Sequence, residues 1–285
     1  DLTVTGVQTC ALPIFRPVIQ AIDPQRLSLS EAADPLYGPL LSTERAVAGR
    51  YPALGSRFWL CLDGYRRPAA VLNGRPAGLF ILCTLPPFLP EEGILEEIGV
   101  FLRLNGCRTL CGAIPEMPLV CRAAGLPPPQ SAPVMKADGQ SAALDPRILR
   151  ADEDTRRLFA LVCPDSGDYD EWLCGLRVRA ADSFCAPYAL YENGSPVSAA
   201  LFTGSDTHRA VIGGAAASPK RRGYGSAIVQ HLAALACRAG KETIAACADE
   251  ALAGFYRRLG FTVCGRWHSA SIDDKPPDEK GIHYE

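Results

Sequence analysis

Residues 215–229, AAASPKRRGYGSAIV, hold the side chains and spacing best suited to chemistry. A strand-like run ends there, Pro219 stops its ladder, and Arg222-Gly223-Tyr224-Gly225-Ser226-Ala227 turns straight into a helix-forming run. The pattern is R-x-x-G-x-A. Glycines at 223 and 225 open backbone angles closed to other residues and let the main chain approach a ligand. The first N–H groups of the helix would then point outward together, backed by the positive end of the helix dipole. Such a start cradles a phosphate or pyrophosphate, and Lys220, Arg221 and Arg222 add charge beside it. No G-K-[ST] follows, so this is not a Walker loop. The spacing is not G-x-G-x-x-G and no acidic ribose reader follows, so it is not a dinucleotide fingerprint either. Taken alone, the turn reads equally well as a tight strand-to-helix connection.

The elements that must hold this turn are legible around it. DEDTRRLFALV (152–162) reads as an amphipathic helix with Asp152 as a possible cap, and DYDEWLCGLRVRAAD as a second helix. PYALYE and PVSAALF flank Asn193-Gly194, a hairpin signal, and HRAVIGGAAAS is a third strand. The helix from about Tyr224 to Ala239 carries Ile228, Leu232, Leu235 and Ala239 as its core stripe. ETIAAC is a buried strand, DEALAGFYRRLGF a helix ending at Gly260, and FTVCGRWHSA a last strand. The tail DDKPPDEKG is polar.

The first half repeats that order. RFWLCL, PAAVL and AGLFILCTL read as three strands, parted by Asp63-Gly64 and Asn73-Gly74. A helix from about Glu91 to Asn105 ends at Gly106, CRTLCGAI is a strand, and MPLVCRAAGL a short helix. PPPQSAP reads as a linker or exposed turn, and SEAADPLYGPLLSTERAVAGRY as short helices. Pro68 matches Pro196, Gly106 matches Gly240 and Gly125 matches Gly260, which predicts a duplicated fold. The first half lacks the cradle. At its place stands LPPFLPEEGI, where Pro86, Pro87 and Pro90 have no N–H and Glu91 and Glu92 put negative charge where a phosphate would sit.

Composition bounds the rest. The chain has 285 residues, 48% of them apolar, and a net charge of −2. That supports one large or two medium domains and gives no basic field for nucleic acid or an anionic membrane. No apolar run nears the roughly 20 residues that span a bilayer, and no signal-peptide pattern is present, so the expected location is the cytoplasm. The 12 cysteines show no C-x-x-C spacing and mostly sit in apolar runs, as reduced, buried thiols would. The four histidines, His208, His231, His268 and His283, are scattered, and no metal site is expected.

With both motifs set out, the sequence resembles the GNAT superfamily of acyl-CoA N-acyltransferases. SPKRRGYGSA fits the family's R/Q-x-x-G-x-G/A after a strand and a proline, and Phe255-Tyr256 followed by Gly260-Phe261 fits its second mark some thirty residues on. The likeness covers about residues 149–267. It implies an α/β fold with a mixed sheet: a GNAT domain over 145–270, a degenerate GNAT-like domain over 15–144 and a polar tail over 271–285, in tandem. It implies acetyl-CoA as co-substrate and a small-molecule or peptide amine as acceptor. The pyrophosphate would lie on Lys220, Arg221, Arg222, Gly223, Tyr224, Gly225, Ser226 and Ala227. Ala215, Ala216 and Ala217 would pair with the pantetheine arm, in the splay before ETIAAC, and Tyr256 would protonate the leaving thiolate. Two departures stand out. Asp249 replaces the family's usual Asn, and could cap its helix but offers coenzyme A no amide donor. The strand before the cradle has no acidic residue for a general base, which leaves His208, Glu192, Asp206 or a water chain. A catalytically weak coenzyme A-binding or sensing protein is therefore the alternative to an N-acetyltransferase. Residues 4–14, VTGVQTCALPI, resemble a translated sequencing adapter, and residues 1–14 are read as a non-native leader that carries no functional weight.

Overall fold

The computed structural model describes residues 18–27, 34–85, 92–137, 143–163, 168–180, 182 and 184–272. The expected leader, the prolines and Glu91 of LPPFLPEE, and most of the expected tail lie outside them. The first half runs β1 (Val18–Ile22), α1 (Tyr37–Arg50), β2 (Arg57–Leu62), β3 (Pro68–Gly74), β4 (Leu79–Thr84), α2 (Glu92–Leu104), β5 (Thr109–Gly112), α3 (Met117–Ala124) and β6 (Gln130–Ala137). The second half runs β7 (Ile148–Arg150), α4 (Thr155–Val162), α5 (Tyr169–Arg179), β8 (Pro187–Glu192), β9 (Ser195–Ser205), β10 (Arg209–Ala217), α6 (Tyr224–Arg238), β11 (Glu242–Ala246), α7 (Glu250–Arg258) and β12 (Phe261–Ser271).

The duplication read from the sequence is built into the backbone. Gly106 and Gly240 take left-handed φ of 69° and 72° just past α2 and α6, and Gly125 and Gly260 take 75° and 87° just past α3 and α7. Each lets a helix stop and turn into the next strand, as a left-handed residue does at a helix end. Asn193 and Gly194, at φ 51° and 74°, form the tight hairpin turn between β8 and β9.

All twelve strands form one mixed sheet, in the order β1-β2-β3-β4-β5-β12-β6-β11-β10-β9-β8-β7. The order is the same from either end once each strand is matched to its counterpart. Its centre is an exchange. β12, the last strand of the second half, lies against β5 of the first, from His268↔Gly112 to Ser271↔Thr109. β6, the last strand of the first half, lies against β11 of the second, from Thr243↔Ala137 to Ala246↔Val134. β6 and β12 then pair with each other, antiparallel, over most of their length. Each half thus finishes its sheet with the other's strand.

Helices cover both faces. On one, α2 and α3 close a first-half core around Leu72, Leu82, Ile98 and Leu110, while α6 and α7 close a second-half core around Phe202, Ile212, Ile228 and Ala245. On the other, α1 of the first half buries Leu41 and Tyr37 in a cluster that takes Val71 and Ile81 from the first half and Val211 and Ile244 from the second. Polar ties fix α1 there. Thr43 Oγ1 donates to Asp182 Oδ2 at 2.8 Å, Ser205 Oγ donates to the same oxygen at 2.8 Å, and Ser205 N–H donates to Thr43 Oγ1 at 2.9 Å. The backbones approach closely at Gly204 of β9, where a Cβ would lie 3.0 Å from Leu40 Cα and 2.9 Å from Leu40 Cδ2. Gly204→Ala is expected to push α1 off β9 and to destabilise the chain by about 1–3 kcal/mol, the usual cost of overpacking. Urea unfolding of the full chain measures it, and an unchanged midpoint would contradict the close packing.

Several local expectations are corrected. Only the three prolines 127–129 of PPPQSAP connect elements: residues 130–137 form the central strand β6, with Pro133 one residue from a bulge at Cys264 of β12, where a missing N–H is tolerated. Asn73-Gly74 is no turn: both lie in β3, with Asn73 fully buried and its Nδ2 donating to Ser56 Oγ at 2.9 Å. The turn falls after them, at Ala77 and Gly78, with φ 62° and 77°. The expected short helices before β2 are, within the described residues, the single 14-residue α1. Asp152 does not cap α4; it pairs with Arg150, and Asp154 stands at the cap position. In α6 the buried face is Ile228, Val229, His231, Leu232, Ala234 and Ala236, so Leu235 and Ala239 leave the stripe.

Candidate functional site

β10 and β11 run parallel and pair from Arg209↔Glu242 to Ile212↔Ala245. Beyond that point each strand stays with its other neighbour. Gly213, Ala216 and Ala217 of β10 remain on β9, while Ala246 and the Cys247 N–H remain on β6. The sheet therefore opens between β10 and β11. Gly213 pairs with Leu201 but Ala216 with Ala199, so β10 carries one extra residue there. The bulge centres on Gly214, at φ +58°. A side chain at 214 would also meet Leu201 Cδ1 at 2.5 Å and Val162 Cγ1 at 3.0 Å. The matching pair in the first half, β3 and β4, runs in regular register through Ala70↔Thr84 without a bulge.

The cradle lies at the end of this opening. β10 ends at Ala217, Arg221 and Gly223 take left-handed φ of 64° and 80°, and α6 starts at Tyr224. No side chain caps α6, which leaves its first N–H groups to solvent or a ligand. A Cβ at Gly225 would sit 3.8 Å from Ala217 Cβ and 4.0 Å from Phe255 Cζ, ordinary contact distances, so the first turn has room for a methyl group. Lys220, Arg221 and Arg222 are exposed on the loop, and Ser226 and Ala227 are half-buried in the first turn. Ala215 is buried, and Ala216 and Ala217 line the opening; Ser198 Oγ donates to the Ala216 carbonyl at 2.8 Å and ties the strand end to β9.

Two carboxylates stand near these residues. Tyr224 donates its hydroxyl to Glu192 Oε2 at 2.5 Å, and Arg147 lies 3.7 Å from the same carboxylate. The bond to Glu192 raises the Tyr224 phenol above its ordinary range, with desolvation and the Glu192 charge adding to it. Asp249 caps α7, accepting from Leu252 N–H at 2.8 Å. Tyr256, one residue past the Phe255 that faces Gly225, is 2% exposed and packs edge-on against Phe255 and Phe261, with ring centres at 5.3 and 5.1 Å.

Of the residues considered as general base, Asp206 and His208 lie in the turn before β10. Asp206 accepts from His208 N–H, Arg209 N–H and the Arg209 guanidinium. At about 3.3 Å per residue that turn is some 16 Å or more from the bulge, so neither can take a proton there. Glu192 is at the cradle, engaged with Tyr224.

The sequence reading missed the bulge, and of the cleft beside it anticipated only that helix 169–182 would flank an acceptor, not the wall it faces. Gly213-Gly214 inside an apolar strand run was the available signal, since paired glycines there mark a bulge or a close approach. The cleft, about 370 Å³, lies between α5 and β9, with Trp172, Leu176 and Arg179 on one side and Leu201, Phe202 and Thr203 on the other. Its signal was weaker: Asp168, Trp172, Gly175 and Arg179 share a helix face, but nothing in the sequence says what that face meets. Among the described residues, no group of three or more histidines, cysteines or acids is arranged to hold a metal. No described helix is long and apolar enough to cross a membrane. The 11 described cysteines are all free, and burial pushes Cys61 and Cys83 up to about 12.

Residues 150–261 match the model of the Acetyltransferase (GNAT) family. None of the curated proteins matches the chain in sequence. Among solved structures, a GCN5-related N-acetyltransferase from Kribbella flavida aligns at 13% identity with a TM-score of 0.57, over 83% of this chain and 97% of that one. One from Sphaerobacter thermophilus aligns at 15% identity and 0.55, over 90% and 95%. A tandem GNAT protein from the clavulanic acid biosynthesis pathway aligns at 11% identity and 0.58, over 92% and 100%. At such identities the likeness is one of fold, and it extends over both halves as a two-domain GNAT arrangement.

Proposed function

We propose, from the match of residues 150–261 to the GNAT acetyltransferase family model, that the protein moves an acetyl group from acetyl-CoA to an amine. The observation that carries this is the opening between β10 and β11, with a bulge at its edge and an uncapped helix start at its end. A long thioester with an anionic head needs both: a gap flanked by main chain for the arm and unpaired N–H groups for the pyrophosphate. The head would rest on residues 222–227 with Lys220 and Arg221 beside them, and the arm along Ala215, Ala216 and Ala217. Asp249, engaged with α7, offers it no donor. Residues 145–270 are the catalytic unit in this reading, and 15–144 a degenerate copy that keeps the fold but not the cradle.

In the reaction the amine nitrogen forms a bond to the thioester carbonyl carbon, the C–S bond breaks, and the electron pair leaves on sulfur. The attacking nitrogen gives up a proton, and the thiolate takes one up. Tyr256 is assigned the second transfer. Tyr256→Phe is expected to lower kcat by about a hundredfold, the lower end for a general acid, with little change in acetyl-CoA affinity. Steady-state rates beside calorimetry of acetyl-CoA test this; an unchanged kcat removes the role. Acetyl-CoA binding without turnover is the second reading, favoured by the absence of any carboxylate in β10 and by the near-complete burial of Tyr256. A melting shift with acetyl-CoA and no thiol release across an amine panel would decide for it.

A further inference from the structure

We infer that the cleft between α5 and β9 takes an acceptor amine that carries a carboxylate, held by Arg179, so that the substrate is an amino acid or short peptide rather than a diamine or a neutral amine. This rests on the reading of the protein as an acetyl-CoA-dependent transferase. The cleft is in the right place for an acceptor. Its floor residue Leu201 pairs with Gly213, and its side chain lies against Gly214, the centre of the bulge. An occupant would lie over β9, the neighbour of the strand that borders the β10–β11 opening, beside the bulge.

The charge in the cleft is ordered along one helix face. Asp168, Glu171, Trp172, Gly175 and Arg179 are spaced to line the same side of α5, and Glu171 and Arg179 stand about 12 Å apart along the axis. Arg179 has no carboxylate partner among the described residues. Among those residues its guanidinium donates from Nη1 to the Gly175 carbonyl at 3.3 Å. The nearest acid in sequence, Asp182, is already committed: its Oδ2 accepts from Thr43 and Ser205, and its Oδ1 from Phe184 N–H. Arg75, which feels the charge of Arg179, cannot neutralise it, and its own ion pair, at 2.7 Å, is with Glu44. A half-buried guanidinium without a counter-charge among the described residues, facing an apolar wall of Leu201 and Phe202, is suited to a planar carboxylate.

Gly175 makes room for this. A glycine in mid-helix costs stability relative to alanine, yet a Cβ here would come within 3.2 Å of Arg179 Nη1. Its absence lets the guanidinium fold back along the cleft. At the opposite end Asp168 and Glu171 repel a carboxylate and favour an ammonium, so the charge pattern orients a zwitterion in one direction only.

The test is calorimetry on the full chain without coenzyme A, using N-acetylated amino acids and dipeptides beside their C-terminal amides. The free carboxylates are expected to bind at least tenfold more tightly than the amides. Arg179→Gln is expected to erase that preference, and Arg179→Lys to restore part of it. Equal binding of acid and amide, no binding of either, or a preference that survives Arg179→Gln would overturn the inference. The acetyl-CoA melting shift is recorded on the same proteins. Its loss in Arg179→Gln would assign the guanidinium to the coenzyme and also overturn the inference. Its absence in the unmodified chain would instead defeat the transferase reading, leaving the carboxylate preference to stand or fall on its own.

Discussion

Residues 145–285 expressed without the first half will not be a folded monomer. The reason is the exchange at the centre of the sheet. In that fragment β11 loses β6, its antiparallel neighbour, and β12 loses both β5 and β6. The face of β9 and β10 under α1 is stripped as well. Four side chains of the first half that are buried at or near these contacts, Leu36, Leu41, Val134 and Met135, each contribute about 1.5–3 kcal/mol when fully buried. Their joint loss is of the same size as the roughly 5–15 kcal/mol that holds a whole domain together. One folded form remains open to the fragment: two copies could each lend β12 to the other, as the two halves do within the chain, and would appear at twice the mass. Residues 1–144 supplied separately should restore a one-to-one complex with a native melting transition. Light scattering and circular dichroism check all three outcomes, and a monodisperse, folded monomer of 145–285 would refute the argument. The first half, whatever it has lost as a binding site, is then part of the scaffold of the second.

That exchange is also where the sequence stops being informative. The elements of the second half are local facts: the Asn193-Gly194 hairpin, the Gly240 and Gly260 helix ends and the Arg222-to-Ala227 turn each depend on a few neighbouring residues, and each is found where the pattern puts it. Which strand pairs with which is not local. β6 and β12 show no alternation that would select a neighbour, and the choice is made by contacts between residues some 130 positions apart. β6 was further disguised by its approach through three prolines and by Pro133 inside it. The long helix α1 was hidden by Gly38 and Pro39 in its first turn, both buried, and by an apolar face that covers two half-domains rather than one. The cradle was legible because its chemistry is carried by main chain and so depends on glycine positions. The cleft was legible only on its α5 side, because its other wall comes from β9, and nothing local in the sequence says that the two meet.

Gly225→Glu is expected to weaken acetyl-CoA binding at least a hundredfold, about 2.7 kcal/mol, while leaving the fold in place. The two parts of that statement have separate grounds. The backbone at 225 is helical and φ is not positive, so a side chain there is not strained by its own conformation. Its Cβ would meet only Ala217 and Phe255, at 3.8 and 4.0 Å. Gly225→Ala should therefore melt at or slightly above the unmodified chain, since alanine is the better helix former. Any affinity that Gly225→Ala loses is lost against the ligand, because the protein itself has room for the methyl group. Glutamate adds a longer side chain and a negative charge at the first turn of α6. The charge suits the helix dipole and so does not harm the helix; it occupies the field that a pyrophosphate would use. The same charge stands at Glu92, in the first turn of α2, where the first half has the corresponding helix. The substitution thus gives the second half the electrostatics of the first. Calorimetry of acetyl-CoA with the unmodified chain, Gly225→Ala and Gly225→Glu separates bulk from charge. If Gly225→Glu bound acetyl-CoA as tightly as the unmodified chain, the pyrophosphate would not lie at the start of α6, and the likeness of the two halves would no longer explain why one of them lacks a site.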